Sequence, residues 1–136
     1  MEQKEFTDFV ISKLLLSFPD FGKHIRIKDD NTADIEYPSE RGKLKLFIST
    51  RNKELTVGFS AGQSQFGWHV HMDMYGAETP EEMAETAVML LKEILNDKKR
   101  IVFTSYLGYF LTEDEDELEG FIYDGEKLKL YNWSEL

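Results

Sequence analysis

Between His24 and Phe59 the apolar residues recur at every second position, and this alternation restricts the fold more than any other feature of the chain. Ile25 and Ile27 start the pattern, followed by Ile35 and Tyr37, then Leu44, Leu46 and Ile48, then Leu55, Val57 and Phe59. A period of two puts these side chains on one face of an extended strand, so the segment predicts four half-buried strands. The connections are short and rich in turn-forming residues: Asp29-Asp30-Asn31, Pro38-Ser39-Glu40-Arg41-Gly42 and Arg51-Asn52-Lys53. Links this short join antiparallel neighbours, because a parallel pair needs a crossover of a dozen or more residues.

Helical periods flank this region. Phe6, Phe9, Val10, Leu14 and Leu15 give an amphipathic helix from Glu2 to Ser17, with Pro19 disfavouring a helical Phe18. Thr79-Pro80-Glu81-Glu82 is a helix start: a capping threonine, a proline at the first helical position and a glutamate placed to close a capping box. Met83, Ala84, Ala87, Val88, Leu91, Ile94 and Leu95 continue it as an apolar stripe. Lys98-Lys99-Arg100 follows, where positive charge complements the helix dipole. A fifth strand is expected from Phe66 to Met72, and a long strand from Ile101 to Leu111, bent or bulged at Gly108. A closing hairpin pairs Phe121-Ile122-Tyr123 with Leu128-Lys129-Leu130-Tyr131 around Asp124-Gly125. The expected fold is α+β, in the order helix, five strands, helix, three strands, with both helices on one face of a mainly antiparallel sheet. No linker divides residues 1–136, so one domain is expected.

If Ile25, Ile35, Leu46, Val57 and Val70 face the helices, the opposite face collects His24, Arg26, Asp34, Glu36, Lys45, Phe47, Thr56, His69 and His71. A polar face with scattered aromatics is a place for a ligand or partner. Its densest part is Gly67-Trp68-His69-Val70-His71-Met72-Asp73, where alternation sets His69, His71 and Asp73 on one side and Trp68, Val70 and Met72 on the other. Two imidazoles and a carboxylate at this spacing suit zinc, iron or manganese, with His24, Asp34 or Glu36 as further donors from neighbouring strands. The same residues equally suit hydrogen bonding across the sheet or a partner surface.

Other chemistry is poorly represented. The chain has no cysteine, which excludes disulfides, thiolate zinc sites and a cysteine nucleophile. Ser60, Ser64 and Ser105 lack the context of a nucleophile elbow, and the dispersed glycines form no phosphate-binding loop. No cofactor is implied. Residues 1–72 hold 10 basic and 10 acidic side chains and residues 73–136 hold 6 and 16, so the whole net charge of −10 resides in the second half. Such a field repels nucleic acid and anionic membranes and steers basic partners. Glu113-Asp114-Glu115-Asp116-Glu117 is the densest run: a solvated loop, or a loop docking into a basic cleft. Trp68, Tyr106, Tyr109, Tyr131 and Trp133 are candidate aromatic anchors, or core. No segment approaches the roughly 20 apolar residues of a membrane-crossing helix, and Met1 to Glu5 lacks the basic start of a secretory signal; the expectation is a cytoplasmic protein.

Leu55-Thr56-Val57-Gly58-Phe59, Trp68-His69-Val70-His71-Met72-Asp73, the capped helix and Tyr131-Asn132-Trp133-Ser134 together resemble a group of small bacterial proteins of polymorphic-toxin systems. In that group a strand ending in a His-x-His-x-Asp-like pattern precedes a helix, and a tryptophan lies near the C-terminus. The resemblance covers the last two thirds of the chain, and Asn132-Trp133-Ser134 departs from the serine-tryptophan pair expected there. It implies an immunity role: a non-catalytic inhibitor that binds a cognate toxin, with His69, His71, Asp73 and Trp133 in structural or binding roles. With Trp68 and Glu113, Asp114, Glu115 and Asp116, these form the expected partner surface, and a basic toxin domain is the expected partner. The alternative is a metal-dependent or small-molecule-acting enzyme centred on His69, His71 and Asp73. A monomer and a homodimer through a sheet edge are both compatible, although Lys127 and Lys129 discourage edge pairing.

Overall fold

The computed structural model describes residues 1–62, 65–112 and 128–136. It is an α+β protein with two long helices and an antiparallel five-stranded sheet. Helix α1 (Gln3–Ser17) leads through a short 3-10 helix (Pro19–His24) into strands β1 (Ile25–Ile27), β2 (Ala33–Pro38), β3 (Lys45–Ser49), β4 (Thr56–Gly62) and β5 (Gln65–His71). These five strands follow one another in space as they do in sequence, each antiparallel to the next. Helix α2 (Pro80–Leu95) comes next, then β6 (Ile101–Thr104), β7 (Gly108–Phe110) and β8 (Leu128–Tyr131).

The register explains the core. Ile25, Ile35, Ile48, Val57 and Val70 form one row across the sheet, and Tyr37, Leu46 and Phe59 the next. With Phe6, Val10 and Leu14 of α1 and Ala84, Ala87, Leu91 and Ile94 of α2, they build one cluster on the inner face, buried except for Ile25, Tyr37 and Val70, which pack half-buried against it. Burial of such side chains stabilises by roughly 1.5–3 kcal/mol each. Thr79 starts α2 as expected: its hydroxyl accepts from the Glu82 N–H at 3.1 Å. No helix among the described residues is long and apolar enough to cross a membrane.

The last strands form a second, three-stranded sheet in the order β7, β6, β8. Two expectations are corrected. The stretch from Ile101 to Leu111 is not one strand. It doubles back through a turn in which Thr104 Oγ1 accepts from the Leu107 N–H at 2.9 Å, and Gly108 takes φ +76°, a conformation glycine adopts without steric cost. His24 does not share a face with the other histidines; its ring packs edge-on against Tyr37 of the inner face, 5.4 Å between centroids. The expected strand Phe121-Ile122-Tyr123 and its turn lie outside the described residues, and β8 pairs with β6.

Candidate functional site

The outer face of the five-stranded sheet carries the candidate site, and the register sets its composition. Arg26, Asp34, Ser49, Thr56 and His71 form one row; Glu36, Phe47, Gly58 and His69 form the next; Ser60 and Phe66 follow after a register shift in β4. Phe47 is buried although it belongs to this face, because Phe66 crosses over it with centroids 4.3 Å apart at 68°. Phe66 lies 5.1 Å from the His69 ring, and His69 lies 5.3 Å from the His71 ring. A run of rings therefore extends from buried Phe47 to exposed His69 and half-buried His71. Edge-on and tilted contacts of this kind are favourable geometries for aromatic rings.

His71 is held at two points. Its Nδ1 lies 2.7 Å from Thr56 Oγ1 and 3.5 Å from Glu54 Oε2. Its backbone N–H donates to Met74 Sδ at 3.4 Å. Hydroxyl and carboxylate thus meet the same ring nitrogen. A nucleophilic relay needs them on opposite nitrogens, so Thr56, His71 and Glu54 do not form one.

At the other end of this row, Asp34 is buried at 3% exposure, where an unpaired carboxylate would be costly. Lys28 Nζ lies 2.5 Å from its Oδ2, and Arg51 Nη2 lies 3.7 Å away. Both cations come from turns flanking the strands. Their pairing with Asp34 had no local sequence signal, because it depends on the sheet register.

The predicted site residues separate. His69 and His71 adjoin on one strand face. Asp73 lies past the strand in a one-turn 3-10 helix (Met72–Tyr75), exposed, its carbonyl accepting from the Gly76 N–H at 2.9 Å. Among the described residues no group of three or more His, Asp or Glu side chains is arranged to hold a metal ion. Trp68 turns to the inner face, its ring tilted 35° to that of Phe59 with centroids 5.4 Å apart, and packs against both the main core and the small cluster of Val102 and Phe110. Trp133 is core: 7% exposed, in a column with Tyr37, whose ring centroid lies 6.4 Å away. Ser134 anchors this end by donating from its N–H (3.0 Å) and its Oγ (2.5 Å) to the Asp97 carboxylate. Glu113, Asp114, Glu115 and Asp116 lie outside the described residues.

Compared with known protein families, curated proteins and solved structures, the chain matches none.

Proposed function

We propose that the protein is a non-catalytic bacterial binding protein, an immunity-like inhibitor acting in the cytoplasm, that engages a basic protein partner through the outer face of its five-stranded sheet. The observation that carries this reading is the ring run over Phe47, Phe66, His69 and His71, which ends in solvent while its base is fixed by packing and its tip by Thr56. Rings held in place before binding lose little conformational freedom on contact, so Phe66 and His69, supported from below by buried Phe47, can serve as anchors at low entropic cost. The acidic excess of residues 73–136 would mainly raise the association rate with a basic partner.

Native mass spectrometry of the protein purified gently from its own host tests the proposal. The expected species is a stoichiometric complex with one basic protein. Phe66→Ser and His69→Ala should weaken that complex, and raising salt from about 0.05 to about 0.5 M should slow its formation. A metal-bound monomer whose metal is lost in His71→Ala would overturn the reading in favour of an enzyme.

A further inference from the structure

A groove separates the end of the five-stranded sheet remote from His71 from the β6–β7 hairpin, running from outer-face Glu36 and Lys45 to inner-face Phe59 and Trp68. It has two adjoining compartments that share Leu44, Ser60 and Tyr109. The wider, about 520 Å³, is lined by Lys43 and Lys45 with Glu36 on one wall. The narrower, about 220 Å³, is walled by Phe59, Trp68 and Leu107. Ligand pockets are typically concave, largely apolar and supplied with a few convergent polar groups, and together these compartments have that composition.

We propose that this groove binds a small aromatic carboxylate, its ring between Trp68 and Tyr109 and its carboxylate at Lys43 and Lys45. The size of the inner compartment sets the ring: a dry cavity of roughly 150 Å³ accepts one benzene, so about 220 Å³ accommodates one or two fused rings. The charge of the outer compartment sets the head group. Among the described residues, Lys43 and Lys45 supply two ammonium groups beside the single carboxylate of Glu36 in the lining, and the Leu136 oxygen engages Lys43 at its backbone N–H, 3.2 Å away, not at its side chain. Lys43 and Lys45 flank buried Leu44 and are both exposed, so an incoming anion meets them without displacing core. Tyr109 adds a neutral donor, since burial and the nearby Tyr131 hold its phenol above the ordinary tyrosine range. Gly42 (φ +70°) lines the outer compartment and Gly108 (φ +76°) the inner one, and at neither does any other described atom lie within 4 Å of where a Cβ would stand.

The inference does not depend on the outer-face reading and is tested separately. An amide NMR titration of the full chain with indole-3-acetate, and in parallel with indole and with acetate, should give saturable shifts only with the first. Those shifts should fall at residues 42–45, 59, 60, 67, 68 and 107–109. Replacing both lysines, Lys43→Met with Lys45→Met, should weaken binding about ten-fold, the loss expected for a charge-assisted hydrogen bond, while leaving thermal unfolding and the His69 and His71 signals in place. Three results would overturn the proposal: no saturable shift at millimolar indole-3-acetate, benzoate or phenylpropionate; equal affinity for neutral indole; or binding unchanged in the lysine variant.

Discussion

Thr50 donates its hydroxyl proton to Thr7, 43 positions away in sequence, across 3.0 Å. The direction follows from proton counting. Thr7 has one hydroxyl proton, given to the Asn31 carbonyl at 2.6 Å, so Thr50 must be the donor between them. Thr50 Oγ1 in turn accepts from the Ala33 N–H at 2.8 Å, and Gln3 Nε2 donates to both the Thr50 carbonyl (2.7 Å) and Thr7 Oγ1 (3.1 Å). This network ties α1 to the two turns that meet at one end of the β2–β3 pair, where Thr7 and Thr50 are both buried. Thr50→Val should therefore destabilise by about 2 kcal/mol, because it leaves the buried Ala33 N–H without an acceptor. Thr50→Ser, which keeps the hydroxyl, should lose about 1 kcal/mol for the missing methyl. Urea unfolding of the pair checks the ranking, and a Thr50→Val chain as stable as the parent would show that the hydroxyl contributes nothing.

Asp34 and its two cations give a second ranking. Asp34→Ala removes the shared anion and strands Lys28, which is itself three-quarters covered, at a cost of about 3 kcal/mol. Lys28→Met should cost less, since Arg51 remains within 3.7 Å of the carboxylate. Denaturant midpoints decide between this order and its reverse.

The Asp30 carboxyl is held below the ordinary aspartate range, chiefly by the Thr32 hydroxyl, which donates to it at 2.6 Å, and next by the Thr32 N–H at 3.0 Å. A carboxyl whose folded pKa is depressed contributes stability that is complete above its unfolded value, about 3.9, and is lost as pH falls through the lower folded value. Thr32→Val keeps the backbone bond and deletes the hydroxyl one. Carbon-detected NMR titration should then show the Asp30 midpoint rising part of the way to the ordinary value. No movement would remove the hydroxyl as the cause.

Local pattern made both helices and the first five strands readable, since period and punctuation are local: Pro19 closes one helix and Thr79-Pro80 opens the other. What was not readable depends on contacts between distant residues. Tyr106 and Leu107 carry strand-like chemistry, yet they are exposed at the tip of a turn made by Thr104 and Gly108. Trp133 resembles a surface anchor in sequence and is core, because the chain end folds back onto Tyr37. Alternation correctly set His69 and His71 side by side, but not that Phe66 and buried Phe47 would extend them into one run.

Gly58 determines how closely β5 lies on β4, and therefore where His69 stands. A Cβ at this position would come within 2.2 Å of the Trp68 carbonyl oxygen and 2.7 Å of His69 Cβ. Strand propensity alone predicts that Gly58→Ala stabilises by about 0.5–1 kcal/mol, since glycine loses the most conformational freedom on folding. The contact predicts the opposite sign, because a backbone carbonyl in a paired strand cannot move aside as a flexible side chain would, and forcing β5 away should cost at least about 2 kcal/mol. The steric effect is the larger, so the variant should unfold at lower denaturant and shift the Trp68 and His69 amide signals together. If Gly58→Ala were as stable as the parent chain, the close approach of the two strands, and with it the placement of His69 beside Phe66, would be wrong.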